Sequence, residues 1–182
     1  MRKVIHAPLI KEEVENLRAG DSVLLSGTIY TDRDAAHKRL CALVEVGEDL
    51  PFDICNQVIY YAGPCPAKPG DAIGSCGPTT SYRMDAYAPM LCDLGLIGMI
   101  GKGPRSQGVV DAIRRNSGVY FAATGGAGAL IATCVKSAEV IAFEDLGTEA
   151  IRRLTVENLP LIVAVDAYGG DLYVEGPERY RK

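Results

Sequence analysis

Three hydroxyl residues in a row, Thr79-Thr80-Ser81, follow Gly77-Pro78 and precede Tyr82-Arg83-Met84-Asp85. The glycine and proline end the preceding segment, and Tyr82, Ala86, Met90 and Leu91 give the next stretch an apolar face at helical spacing. Thr79 or Thr80 is the expected N-cap, its side-chain oxygen accepting from a first-turn amide. A helix start presents free N–H groups and the positive end of the dipole, and Arg83 adds a full charge, so the stretch suits an anion. An ordinary capped helix with a surface arginine accounts for the same residues. A second such place is Thr31-Asp32-Arg33-Asp34. Thr31 or Asp32 can cap the helix that follows and Asp34 suits its dipole, whereas Arg33 suits it only if an anion joins. The alternative is a solvated arginine balanced by Asp32 and Asp34. Gly101-Lys102-Gly103-Pro104 and Thr124-Gly125-Gly126-Ala127-Gly128 are further turns of this kind. The last fits neither the Walker A nor the dinucleotide spacing, so close packing of a helix on a strand is its expected cause.

These turns need elements to hold them. The spacing predicts a short helix over 10–18, with Ile10, Val14 and Leu17 on one side, and a strand over 22–30. A helix carrying Ala35, Ala36, Leu40, Leu43 and Val44 follows. Residues 47–71 are rich in proline and glycine and read as a surface elaboration around a strand at 58–61. Beyond Gly77 the expected elements are a helix near 82–93, a buried strand over 94–100 and a helix started by Ser106 with Val109, Val110 and Ile113. A strand over 119–123, a glycine turn into another helix, and a strand over 140–143 come next. A helix near 148–153, a strand over 161–165 and a short terminal strand at 172–174 complete the reading. Strands alternating with helices predict an α/β fold with a mixed or parallel sheet covered by helices. Ligands of such sheets bind at the carboxyl edge, so Arg33, Arg83 and Lys102 surround one small polyanion if their turns converge there.

At 182 residues the chain fits one domain over 1–182, long enough to bury a core without staples. Apolar residues make up 48% and charged residues 23%, the usual balance of a water-exposed globular domain. A net charge of −4 without a lysine or arginine run argues against nucleic acid as a partner. No signal-peptide pattern opens the chain, and the longest apolar stretch, 119–135, is too short for a bilayer and is broken by glycines. A cytoplasmic location, with no membrane contact, is the expectation. Six cysteines stand with only two histidines and no C-x-x-C pair, so no metal site is expected on this chain alone. Cys41 and Cys134 read as small buried hydrophobes; Cys55, Cys65 and Cys76, near glycines and prolines, read as more exposed.

The runs Gly27-Thr28-Ile29-Tyr30-Thr31-Asp32-Arg33-Asp34-Ala35-Ala36-His37, Gly77-Pro78-Thr79-Thr80 with Arg83-Met84-Asp85, Gly101-Lys102-Gly103 and Thr124-Gly125-Gly126-Ala127-Gly128-Ala129 together resemble class I fumarate hydratases. The resemblance is to the C-terminal domain of the one-chain enzymes, equivalently the β subunit of the two-chain form, and L(+)-tartrate dehydratase β subunits share these motifs. It covers nearly the whole chain. The fold it implies is a swivelling β/β/α domain that closes on a dicarboxylate. The cofactor it implies is a [4Fe–4S] cluster held by three cysteines of the other domain or subunit, whose open iron acts as a Lewis acid on the substrate. The six cysteines of this chain then lie outside the ligand set, and the partner is an α subunit in an α2β2 assembly.

Carried over by motif, Arg33 binds a substrate carboxylate, Thr79 is the base at the reacting carbon, and Arg83 and Lys102 contact carboxylates or support Thr79. His37 packs or supports the substrate-binding residues. The chemistry suits these types. Hydrating fumarate to L-malate adds water across a double bond flanked by two carboxylates, and cations aimed at the extra charge of the intermediate lower the barrier. An arginine fork also fixes orientation through two parallel bonds. Threonine needs nearby cations and a partly dry site to ionise, and hydrogen-bonding the substrate is its alternative role. The motifs do not choose between fumarate and tartrate. A free-standing dicarboxylate-binding module without chemistry and a purely structural partner subunit are the readings from other classes.

Overall fold

The apolar runs at 58–60, 98–101 and 119–122 are buried along almost their whole length, which is what strands covered on both faces require. The computed structural model describes residues 2–181. Chain order is β1 (Lys3–Ala7), α1 (Lys11–Glu15), β2 (Ser22–Thr31), α2 (Asp34–Glu45), β3 (Val58–Tyr60), a 3-10 turn (Ser81–Met84), α3 (Ala88–Asp93), β4 (Gly98–Gly101), α4 (Gln107–Arg115), β5 (Val119–Ala122), α5 (Gly128–Cys134), β6 (Val135–Ala142), a second 3-10 segment (Glu144–Glu149), β7 (Ile151–Val165) and α6 (Leu172–Tyr180). Strand order is β1-β2-β3-β4-β5-β7-β6, and a further pairing of β2 with β7 closes β2, β3, β4, β5 and β7 into a barrel-like ring. Strands β2 to β5 run parallel, and β7 is antiparallel to both of its ring neighbours. β1 and β6 extend the sheet outside the ring.

Period-two alternation sends successive side chains to opposite sides of each strand. Val58 and Tyr60 join a core with Leu25, Ile100, Phe121 and Val163. Ile59 and Tyr61 join a second core with Leu40, Met99, Tyr120 and Ile113, under α2, α3 and α4. The α/β class and the mixed sheet agree with expectation; the closure was not legible. Gly27, at φ +111°, sits where an added Cβ would fall 2.2 Å from the Ala7 carbonyl oxygen, so only glycine lets β1 lie against β2 there. Among the described residues, no helix is long and apolar enough to cross a membrane.

Several expected elements need correction. The helix expected near 148–153 ends as a 3-10 segment at Glu149, and Ile151-Arg152-Arg153 opens the 15-residue β7. The pairings of Thr31 with Arg152 and Tyr30 with Arg153 explain why: long-range sheet hydrogen bonds override a weak local preference. The short strand expected at 172–174 is the first turn of α6, started by Asp171, whose carboxylate accepts from the Tyr173 amide. The single helix near 82–93 divides into the 3-10 turn and α3, with Pro89 inside the first turn of α3. Cys76 is buried rather than exposed, whereas Cys134 is only partly buried.

Candidate functional site

Four parallel strands end at Thr31, Tyr60, Gly101 and Ala122, and the motif turns leave from those ends. Arg33 follows β2 as the N-cap residue of α2. Neither Thr31 nor Asp32 caps that helix by its side chain. Instead the Glu149 carboxylate, brought from the second 3-10 segment, accepts from the Ala35 amide at 3.1 Å. The same carboxylate lies 3.3 Å from the Arg33 guanidinium, and Asp34 lies 3.6 Å from it. The cation at this helix start is thus balanced by two anions.

The Gly77–Asp85 loop is tied to the next two strand ends. The Thr79 amide donates to the Tyr61 carbonyl at 2.7 Å, just past β3. Thr80 forms a parallel bridge with Lys102, just past β4. The Ser81 amide donates to the Lys102 carbonyl at 2.9 Å, and the Lys102 amide donates back to Ser81 Oγ at 3.1 Å. No side-chain cap hydrogen bond stands at Thr80, so the threonine hydroxyls do not serve the helix start as expected. The glycine turn closes the arc. The Cys76 amide donates to the Gly128 carbonyl at 3.0 Å, and a Cβ on Gly125 would lie 3.8 Å from Lys102 Cδ. A Cβ on Gly128 would fall 2.5 Å from Ser75 Oγ, which accounts for that glycine by close approach.

Arg83 reaches across to the first turn, its Nε donating to Asp34 Oδ1 at 2.7 Å. Asp34 therefore stands between Arg33 and Arg83. The structure brings Thr79 and Lys102 to neighbouring strand ends and joins Arg83 to the Arg33 turn through this carboxylate. Thr79, Lys102 and Arg33 are partly exposed, and the Arg83 side chain is 46% exposed, so all four can meet a solute at the carboxyl edge.

His37 lies beneath. It is fully buried in α2, edge-on to Tyr61 with ring centroids 5.3 Å apart. Its Nδ1 is 2.9 Å from Asp32 Oδ2, at ion-pair distance but in poor hydrogen-bond geometry, and both residues count as unpartnered by that stricter criterion. Burial holds the Asp32 carboxyl above its usual range against the pull of His37.

Residues outside the motif reading complete the site. Arg105 follows the Lys102 turn and its side chain is fully buried, with Nε donating to Asp85 Oδ1 at 2.7 Å. Burial works against that charge, but Tyr61 and Asp85 more than offset it and hold the guanidinium above the usual arginine range. Burial pushes the Tyr61 phenol up to about 12. Between Pro104 and Ser106, Arg105 carries no local signal that separates it from a solvated loop arginine.

The cysteines do not form a cluster site. Among the described residues no three His, Cys, Asp or Glu side chains gather as a metal would need. Cys41, Cys76 and Cys92 are buried thiols, pushed up by burial to about 11, 12 and 12 respectively. An iron–sulfur cluster does not fit this chain's own donors.

Comparison with known proteins is consistent along the chain. The Fumarase C-terminus family model matches residues 2–176. An archaeal protein of Methanocaldococcus jannaschii, whose name assigns it provisionally as an L(+)-tartrate dehydratase subunit beta, is 39% identical over 92% of this chain and 89% of its own length. The anaerobic class I fumarate hydratase of Escherichia coli is 42% identical over 82% of this chain, and fumarate hydratase 2 of Leishmania major 36% over 90%. The matched regions are only 28% and 29% of those two enzymes, so the chain spans less than a third of their length. With a family model matched over almost every residue and a relative aligned nearly end to end, the chain belongs to the Fumarase C-terminus family.

Proposed function

We propose that this chain is the β subunit of a two-chain [4Fe–4S] hydro-lyase that reversibly hydrates fumarate to L-malate. One observation carries the reading: a threonine, a lysine and two arginines stand on turns at the same carboxyl edge, joined by Asp34 and by the Thr80–Lys102 bridge. That set suits a small dianion whose charge grows during reaction. In this reading Arg33 and Arg83 hold carboxylates, Lys102 holds a carboxylate or steadies Thr79, and Thr79 moves the proton at the carbon. The Arg33 side chain is 20% exposed, which supports access of a carboxylate to part of the guanidinium fork. His37 supports Arg33 from below through its contacts in the first turn of α2.

The cluster belongs to an α subunit in this reading, because the cysteines of this chain are scattered. The chain acts as one swivelling unit that closes on substrate, in a cytoplasmic α2β2 assembly. A second reading, the β subunit of an L(+)-tartrate dehydratase, draws on the end-to-end similarity to the archaeal protein of that name. Both substrates present two carboxylates to the same cations.

Anaerobic co-expression with a candidate α subunit tests the reading, with fumarate and tartrate turnover measured for each chain alone and for the mixture. Activity in the mixture alone is expected, and the ratio of the two rates names the substrate. Malate binding by this chain alone without turnover in any mixture would replace the enzyme with a binding module. The base assignment has its own test. Thr79→Ala should lower turnover on the order of 10³-fold and abolish solvent-deuterium exchange into malate. Near-normal exchange would leave Thr79 as a substrate hydrogen-bonding group only.

A further inference from the structure

We infer that Arg105 is a positioning residue that locks the Thr79 loop onto the Lys102 turn, and that turnover depends on this lock. The inference rests on the hydro-lyase reading for its kinetic part and on geometry alone for its structural part.

The loop from Thr79 to Asp85 has anchors at Tyr61, at Lys102, at Asp34 and at its own end, Asp85. All but Asp34 lead to residues in contact with the Arg105 side chain or to the turn that carries it. Tyr61, whose carbonyl takes the Thr79 amide, packs its ring 5.3 Å from the guanidinium carbon, and its hydroxyl accepts from Nη2 at 3.4 Å. Tyr120 lies 4.9 Å from the same carbon. Its hydroxyl donates to the Gly103 carbonyl at 2.9 Å, so the bond at 2.8 Å to Ser81 has Ser81 Oγ as donor. Ser81 Oγ in turn accepts from the Lys102 amide. Asp85 takes Arg105 Nε on one oxygen and the Ser106 amide on the other.

The guanidinium thus sits at the centre of a closed set of contacts linking loop, turn and strands β3, β4 and β5. Each of its nitrogens has a partner, the last being the Met99 sulfur at 3.5 Å. Nothing about binding a dianion requires this cation, since it is fully buried. Its planar fork is what the arrangement uses: three directions fixed at once, with two aromatic faces bounding the plane. A lysine supplies the charge but not that geometry. Gly101 fits the same picture, because a Cβ there would fall 1.9 Å from Ser81 Oγ.

The test uses Arg105→Lys in the assembled two-chain protein, with two readouts. Amide hydrogen exchange at Ser81 and Lys102 should quicken about 10-fold or more, while the amides of Leu24 and Leu25 in β2 keep their protection. In kinetics, kcat should fall about 10²-fold with KM changed less than about 3-fold, since a displaced Thr79 loses geometry rather than affinity. A merely structural role predicts fewer folded molecules, each with normal kcat. Tyr120→Phe is the second variant, chosen because it keeps the ring and removes only the hydroxyl between Ser81 and Gly103. It should give the same pattern at about 10-fold in kcat, and it decides the matter if Arg105→Lys does not fold.

Normal kcat in an active enzyme carrying either folded variant would overturn the positioning role and leave the hydro-lyase reading intact. If the wild-type pair turns over no dicarboxylate, the hydro-lyase reading fails instead. Exchange then decides the lock by itself: unchanged protection at Ser81 and Lys102 overturns it.

Discussion

Beyond β4, every nitrogen of the Arg105 guanidinium has a partner, whereas beyond β2, residues Asp32, Arg33, Asp34 and His37 hold six of the seven buried side-chain polar atoms that lack a hydrogen bond among the described residues. The two turns leave the same edge of the same sheet and use the same residue types. Asp32 Oδ2 still faces His37 Nδ1 at 2.9 Å and Asp34 Oδ2 faces Arg33 at 3.6 Å, so the β2 turn is held by charge contacts where the β4 turn is held by hydrogen bonds. A satisfied cluster fixes two loops in one geometry, whereas the β2 set is a buried group of acceptors and donors with fewer hydrogen bonds, lying beneath a partly exposed Arg33. The comparison sets Arg105 apart from Arg33, the proposed carboxylate holder, by hydrogen-bond completeness rather than by charge.

The largest effect that can break this contrast is kinetic. On the hydro-lyase reading, Arg33→Ala in the two-chain assembly should lower kcat/KM for fumarate on the order of 10²-fold while the thermal midpoint stays within about 2 °C. A collapse of the midpoint with kcat/KM preserved per folded molecule would make Arg33 a scaffold residue and erase the distinction. On the β4 side the sign reverses. Gly101→Ala forces a Cβ into Ser81 and Tyr61 and should cost about 1–3 kcal/mol in a urea titration of the isolated chain. An unchanged midpoint would mean that the β4 cluster yields easily and is no lock.

A pH series sharpens the β2 side. Burial raises the Asp32 carboxyl above its usual 3.8, so the native state holds that proton more tightly than the unfolded chain does. Its contribution to stability is therefore fully present below about pH 4 and is lost as pH rises through the folded value. Asp32→Asn cannot ionise and escapes that loss. Thermal midpoints taken from about pH 4 to pH 7 should show the variant gaining on the wild type as pH rises; a constant gap would mean that Asp32 is not the strained group. The smallest effect is expected far from both turns. Arg153 pairs with Glu139 on the surface between β6 and β7, both half-exposed or more, and Arg153→Ala should shift the urea-derived stability by no more than about 1 kcal/mol.

Much of the candidate site was legible before folding. Thr79, Arg83 and Lys102 were marked by glycine and proline punctuation at strand ends, and Arg33 by a cation where the helix dipole disfavours one. These are local signals, and local signals survive in sequence. The cap assignments failed for the complementary reason. Glu149, not Thr31 or Asp32, serves the start of α2, and Ser106 stands at the N-cap of α4 with no side-chain cap bond while its own amide donates to Asp85. A carboxylate arriving from 114 residues away leaves no trace at the helix it caps.

What the sequence determined by itself is the alternation of strand, turn and helix, and with it which residues stand at strand ends. Period-two and helical apolar patterns, together with turn chemistry, fix those positions within a few residues of chain. Tertiary structure alone decided the rest: that β7 runs antiparallel along both β2 and β5 and closes the ring, that 151–153 is strand and 172–180 helix, and that Arg105 is interior. Each of these depends on contacts between residues distant in the chain, where sheet pairing and the need to satisfy a buried charge outweigh the small differences in local preference.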